Sequence, residues 1–182
     1  MSRVSRRTVV SAALVTAVAV AIGLCLFQPW TAFTDTRVDE ALPTAVEAAG
    51  PTAAEATGKT EPARDPAPEN LAEGSFVTHE HDTSGTARTV RLADGAQVLR
   101  LEDLRTSDGP DVRVYLSTRD ADDVRTGLGD GAVQLGELKG NLGNQNYTVP
   151  AGTDLSGFRS AVLWCKRFSV SFGAADLTPV TH

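Results

Sequence analysis

The chain has little of what most small cofactor proteins are built from. There are 2 cysteines, 3 histidines and 1 methionine in 182 residues. That excludes a disulfide-stapled scaffold and a multi-cysteine zinc or iron–sulfur module. Aromatic residues make up only 5%. Net basic charge is missing too. The formal net charge is −6, and no acidic residue precedes Asp35. Without Arg3, Arg6 and Arg7, 14 basic residues face 23 acidic ones, or −9, over the rest of the chain. Nucleic acid is therefore not an expected partner, because phosphate binding needs a basic face.

One stretch lacks charge altogether. Residues 8–28 are uncharged and rich in Val, Ala and Leu. About 20 apolar residues span a bilayer as a helix. No small-residue cleavage site follows, and Trp30 and Phe33 have the character of interfacial anchors. This predicts a transmembrane signal anchor over residues 8–30. It also predicts a cytoplasmic basic N-terminus at 1–7 and a C-terminal domain outside the cytoplasm, on a single-pass cell-membrane protein. Two other readings stay open. Ser5-Arg6-Arg7 is similar to a twin-arginine export signal, with Val9 and Val10 in place of the expected Phe-Leu. Ile22-Gly23-Leu24-Cys25 is similar to a lipobox, with a bulky Leu24 before the cysteine. Otherwise Cys25 is a small apolar residue within the helix.

Residues 31–70 read as a Pro/Ala/Glu-rich linker. Five of the nine prolines fall between Pro43 and Asn70, with no aromatic residue. Such a sequence buries too little apolar surface to order itself. Within it, Val38 and Leu42 are spaced i and i+4. Thr34–Leu42 thus reads either as one or two helical turns or as a polar lead-in.

Residues 71–182 are predicted to fold. Thirteen of the sixteen glycines lie at Gly74 or beyond, which implies many tight turns. Val112, Val114 and Leu116 alternate with polar neighbours, and so do Phe168, Val170 and Phe172. Each set marks a half-buried strand. Asp94-Gly95 between two such runs is a hairpin signal. No helical periodicity is sustained. The expected fold class is all-β, a single antiparallel β-sandwich or small barrel.

Three features could carry chemistry. His79 and His81 form H-x-H, which on a strand puts both rings on one face, as a copper or zinc pair requires. Two ligands do not complete a site, and surface histidines at a strand end read equally well. Cys165 is the one cysteine of the folded region. Lys166 and Arg167 follow it and favour the thiolate, while Ala161, Leu163 and Cys165 also share one strand face, as a core cysteine would. Residues 136–147 combine three glycines with Asn141, Asn144, Gln145 and Asn146. One reading is a cofactor or ligand loop using Lys139, Gly140, Asn141, Gly143, Gln145 and Tyr147, with Trp164 as a neighbour. The other is a loop whose side chains tie down their own backbone. No Walker loop, Gly-x-Ser-x-Gly elbow, C-x-x-C or C-x-x-C-H occurs.

Taken together, several blocks resemble one family. They are His81–Ala87, Leu99–Leu104, Asp108–Ser117, Leu135–Asn141, Gly143–Tyr147 and Val162–Val170. These are similar to the DM13 domain over roughly residues 72–180, with Leu104 where that family often has Phe. Gln28-Pro29-Trp30 and Val38–Pro43 resemble the lead-in of membrane-anchored bacterial members. No DOMON-like neighbour is seen. The resemblance implies electron transfer, with Cys165 at the position of the family's reactive cysteine. It leaves the cofactor unknown, haem or a metal being compatible, and implies a redox partner at the cell surface. The alternative is a non-catalytic binding or adhesion module in which Cys165 is buried packing.

Overall fold

The computed structural model describes residues 15–18, 35–43 and 67–181. The chain divides into two compact units, 1–34 and 35–182. In the first, residues 15–18 are helical and exposed. Among the described residues no helix is long and apolar enough to cross a membrane. The transmembrane helix expected over 8–30 is therefore not supported. Its remaining residues, Cys25 included, lie outside the described ones.

The second unit is all β, as the alternation of apolar and polar residues predicts. Ten strands follow in chain order. They are β1 (Arg37–Asp39), β2 (Glu69–Thr78), β3 (Ser84–Arg91), β4 (Gln97–Arg105), β5 (Val112–Ser117), β6 (Val133–Glu137), β7 (Leu142–Thr148), β8 (Ser160–Cys165), β9 (Val170–Asp176) and β10 (Thr178–Pro179). Hydrogen bonding runs in the order β1-β7-β4-β3-β2-β9-β8-β5-β6, with β10 on β2. All of these pairings are antiparallel except β1 with β7.

Strand β2 belongs to two sheets. Its first part pairs β3 as far as Ser75 opposite Thr86. Its last part pairs β9, starting with Phe76 opposite Ala175. The result is a sandwich-like fold whose two sheets share one strand. Gly74 sits at the transfer. A Cβ there would lie 1.7 Å from the Asp176 carbonyl oxygen, so β2 and β9 approach closely only because a side chain is missing.

Alternation then fills the core. Leu99 and Leu101 of β4 face Val114 and Leu116 of β5, and Leu163, Cys165 and Phe172 complete one buried cluster. Each such side chain contributes about 1.5–3 kcal/mol on burial. Across β8, Val162 and Trp164 point the other way, into a cluster with Ala121, Val124 and Ala174. The Asp94-Gly95 turn joins β3 to β4 as expected. Gly95 takes φ +83°, and the Asp94 carboxylate accepts from Ala96 N at 2.9 Å.

Two further expectations change. Alternation puts Phe168 on a strand face with Val170 and Phe172, but β9 begins at Val170. Phe168 lies in the preceding turn and is 61% exposed. The stretch expected to be a linker over 31–70 contains β1, so Thr34–Leu42 holds a strand and not helical turns. Residues 44–66 of that linker lie outside the described ones.

Gly74→Ala is expected to cost about 3 kcal/mol or more, because the obstacle is backbone and not a movable side chain. A thermal melt checks it. An unchanged midpoint would mean that β2 and β9 separate there without loss.

Candidate functional site

The sheets bring only some of the candidate residues together. Cys165 is the last residue of β8 and is 0% exposed. Its Cα partners are Val112 on β5 and Val170 on β9. Its side chain belongs to the main core, whereas Lys166 and Arg167 lie in the exposed turn beyond it. Trp164 is adjacent in sequence but occupies the opposite face of β8, because side chains alternate along a strand. It is therefore no neighbour of a site built around the Cys165 sulfur. Beside Val112 an open depression of about 290 Å³ is lined by Asp111, Arg113, Glu137 and Arg167, among others. Arg113 binds the Asp111 carboxylate through Nε and Glu137 at 2.9 Å. The Asp111 carboxylate raises the Arg113 pKa further above its ordinary value, with Glu137 assisting.

The histidines do not form a strand pair. β2 ends at Thr78, and the amides of His79 and His81 both donate to the Phe172 carbonyl, at 3.0 and 3.4 Å. The His79 ring Nδ1 meets Ser171 Oγ at 2.7 Å, while its Nε2 is buried with no partner among the described residues. Burial, helped by the nearby Arg125 cation, lowers the His79 pKa. The His81 ring stacks on Phe172, 3.8 Å between centroids. Among the described residues, no three His, Cys, Asp or Glu side chains group to hold a metal.

The Gly–Asn loop is the best-built constellation, and it splits into two parts. Gln145 is fully buried and staples the loop to itself. Its Oε1 accepts from Lys139 N at 3.1 Å and from the Tyr147 hydroxyl at 2.8 Å, and its Nε2 donates to Gly140 O at 2.6 Å. Burial pushes the Tyr147 hydroxyl up to about 12. This is the reading in which side chains secure their own backbone.

The asparagines and Lys139 do something else. Asn141 Oδ1 accepts from Thr36 N at 2.7 Å, and its Nδ2 donates to Asp35 at 3.0 Å. Asn144 Nδ2 donates to the Asp39 carboxylate. Asn146 Nδ2 donates to Ala41 O at 2.8 Å. Lys139 Nζ reaches both Glu40 carboxylate oxygens, at 2.7 and 2.9 Å, and Asn146 N donates to Glu40 at 2.8 Å. The glycines serve the same contact. A Cβ on Gly140 would lie 2.4 Å from Thr36 O, and one on Gly143 would lie 2.0 Å from Val38 O.

Arg100 completes the arrangement, and residue chemistry alone did not single it out. It is 7% exposed. It bonds Glu102 at 2.7 Å, Asn146 Oδ1 at 2.8 Å and the Glu40 carbonyl at 3.0 Å. A polar residue between Leu99 and Leu101 reads as solvent-facing, yet here it is buried and bonded to the Glu40 carbonyl of the covering segment. The signal that was available is the set of acids at 35, 39 and 40 against one lysine and three asparagines.

A family model described as electron transfer DM13 matches residues 75–177, more than half of the chain. The chain belongs to the DM13 family. No curated protein and no solved structure matches it. The family description gives this DM13 domain a generic electron-transfer role. A metal or haem on Cys165 does not fit the DM13 domain as folded. Its sulfur is enclosed among apolar side chains, and among the described residues no three or more His, Cys, Asp or Glu side chains gather there to complete a ligand set.

Glu40 supplies a pH dependence. Desolvation raises its pKa, but the hydrogen bonds and charge of Lys139, together with the Asn146 amide, outweigh this and leave it below the ordinary 4.5. Its contribution is thus present above about pH 4.5 and lost as pH falls through the lower folded value. NMR signals of residues 36–42 are expected to shift toward undocked positions only in acid. Loss of docking between pH 6 and 8 would contradict this.

Proposed function

We propose that this DM13 domain transfers electrons through the Cys165 thiol, reached when the turn at residues 166–169 opens. The observation that supports it is position. Cys165 is the only cysteine within the matched region 75–177, and it lies directly under an exposed turn at a strand end. Ser169 in that turn has φ +55°, an uncommon conformation for a residue with a side chain. Turns of this kind open more readily than core strands.

A single thiol carries electrons without a second cysteine of its own. The thiolate attacks a disulfide of a partner, a bond forms from Cys165 Sγ to one sulfur, and the other sulfur leaves as a thiolate. Cys165 is thereby oxidised to a mixed disulfide and the leaving sulfur reduced, so the partner is a disulfide-bearing molecule. The acidic and basic side chains of the nearby depression, Glu137 and Arg167 among them, give it a polar surface to meet.

A second reading has its own observation. Cys165 is wholly enclosed in the apolar core, which favours packing and a binding role for the domain. One experiment separates the two. In the full chain carrying Cys25→Ser, Cys165 is the one thiol. Incubation in a glutathione redox buffer should yield one mixed disulfide per folded chain, at a rate set by opening, and none in Cys165→Ser. An adduct that forms only in denaturant would overturn the redox reading.

The stability of the variants is expected to rank by polarity. Cys165→Ser buries a hydroxyl among apolar side chains and should cost about 1–3 kcal/mol. Cys165→Ala should cost less, since it leaves only a small cavity. Chemical denaturation measures both, and a serine as stable as alanine would mean that the hydroxyl finds water or a partner.

A further inference from the structure

The 139–146 loop holds an extended segment of the chain in the way one protein holds a peptide of another. Segment 35–43 adds β1 to the free edge of β7, in parallel register, with Arg37 opposite Leu142 and Asp39 opposite Asn144. Backbone bonds extend beyond the strand. Leu142 N donates to Thr36 O at 3.2 Å, and Glu40 N donates to Asn144 O at 2.9 Å. Main-chain pairing of this kind supplies affinity, and side chains supply selectivity. Selectivity here is acidic, since Asp35, Asp39 and Glu40 each meet a side-chain donor. Space for the visiting backbone comes from Gly140 and Gly143.

The segment is separable. It lies outside the matched region 75–177, and residues 44–68 stand between it and β2. It contributes nothing to the main core or to the cluster behind β8. Its residue in an apolar cluster is Leu42, against the small group of Val90, Leu92 and Val98 on the outer face of β3 and β4. The domain's own apolar contacts therefore do not require that the segment come from the same chain.

We propose that the β7 edge and the 139–146 loop form a docking groove for an extended acidic peptide, and that its ligand is segment 35–43 supplied either in cis or by a second copy of this chain. The groove stands whether or not Cys165 is redox-active. Exchange between copies joins two chains reciprocally with no new surface, which is the low-cost route to a dimer. Charge complementarity identifies the occupant. Lys139 and the buried Arg100 face the segment from the domain, and the segment answers with a carboxylate and with the carbonyl of Glu40. Like charges placed across this contact would discriminate against a wrong partner.

Charge reversal in the full chain tests it. Glu40→Lys sets a cation against Lys139, and Lys139→Glu sets an anion against Glu40. Each alone should speed hydrogen exchange over residues 35–43 by about tenfold or more, as loss of a charge-assisted bond requires. Exchange in β8 should stay unchanged, which reports an intact domain. Mixed together, the two variants can each accept the other's segment with charges matched. A one-to-one dimer should then appear by light scattering, with exchange over 35–43 slowed again. A labelled peptide of residues 34–43 should also bind the Glu40→Lys chain saturably. It should not bind when Gly140→Val is added, because the three atoms nearest a Cβ there all belong to the segment. The proposal fails if the single variants leave exchange over 35–43 unchanged. It also fails if they free the segment and neither the mixed dimer nor peptide binding is seen. If Glu40→Lys disturbs β8, Gly140→Val alone must still free residues 35–43, and full protection there would overturn the groove.

Discussion

The fold turns on a close approach of two backbones. At Gly74 the chain of β2 passes so near Asp176 on β9 that no side chain fits between them. This contact lets one strand leave β3 and join β9 without a break, so the two sheets meet along a shared strand. Everything buried follows from that junction. Leu99 and Leu101 on one side and Val114, Leu116 and Leu163 on the other can then face one another across a single apolar layer. The two outer faces are covered differently. Residues 118–131 cover β8 and β9 with Ala121 and Val124, and segment 35–43 covers β4 and β7 with mostly polar contacts. This chain thus presents one apolar outer seam and one polar one.

Much of the β domain was legible because alternation is a local property. Val112, Val114 and Leu116 show their face from three positions, and Asp94-Gly95 shows its turn from two. Phe168 misled the same reasoning. Its spacing from Val170 is right for a strand, but the turn after Cys165 extends to Ser169, and a left-handed φ there is not a periodic signal. Family resemblance did more than periodicity at the level of function, since no spacing of residues marks electron transfer.

The candidate site was legible only in part, for a reason of distance. Three glycines and several amides in residues 136–147 mark a loop that approaches something closely. What it approaches is more than 100 positions away in sequence, as the bond between Thr36 N and Asn141 Oδ1 shows. Nothing local in Asp35–Pro43 announces a strand. Its three residues of β1 become a strand because β7 offers an unpaired edge, a case of tertiary context deciding secondary structure. Arg100 is hidden for the same reason, since its partners Glu40 and Asn146 are remote in sequence. His79 and His81 are the converse case. The pattern is local and clear, but β2 ends at Thr78, before either histidine, so the two cannot act as a strand pair.

The groove and the core around Cys165 are not isolated from each other. Asn141, which receives Thr36, also donates to Thr106 O at 3.1 Å. Thr106 Oγ1 meets Thr83 Oγ1 at 2.9 Å, and Thr83 in turn donates to the Phe172 carbonyl at 3.2 Å. Phe172 follows Val170, the cross-strand partner of Cys165, on β9. Every member of this chain of bonds is satisfied, and its threonines are buried. A buried polar network in that state rigidifies what it connects, because a single broken bond leaves a group unpaired away from water. The acidic segment therefore rests on the same polar framework that fixes the strand beside the thiol. Filling the groove stiffens one end of that framework. The opening proposed for Cys165 would have to yield at the other end, in the turn at 166–169, whose side chains are exposed and whose Lys166 amide is held by the Asp111 carbonyl at 2.9 Å.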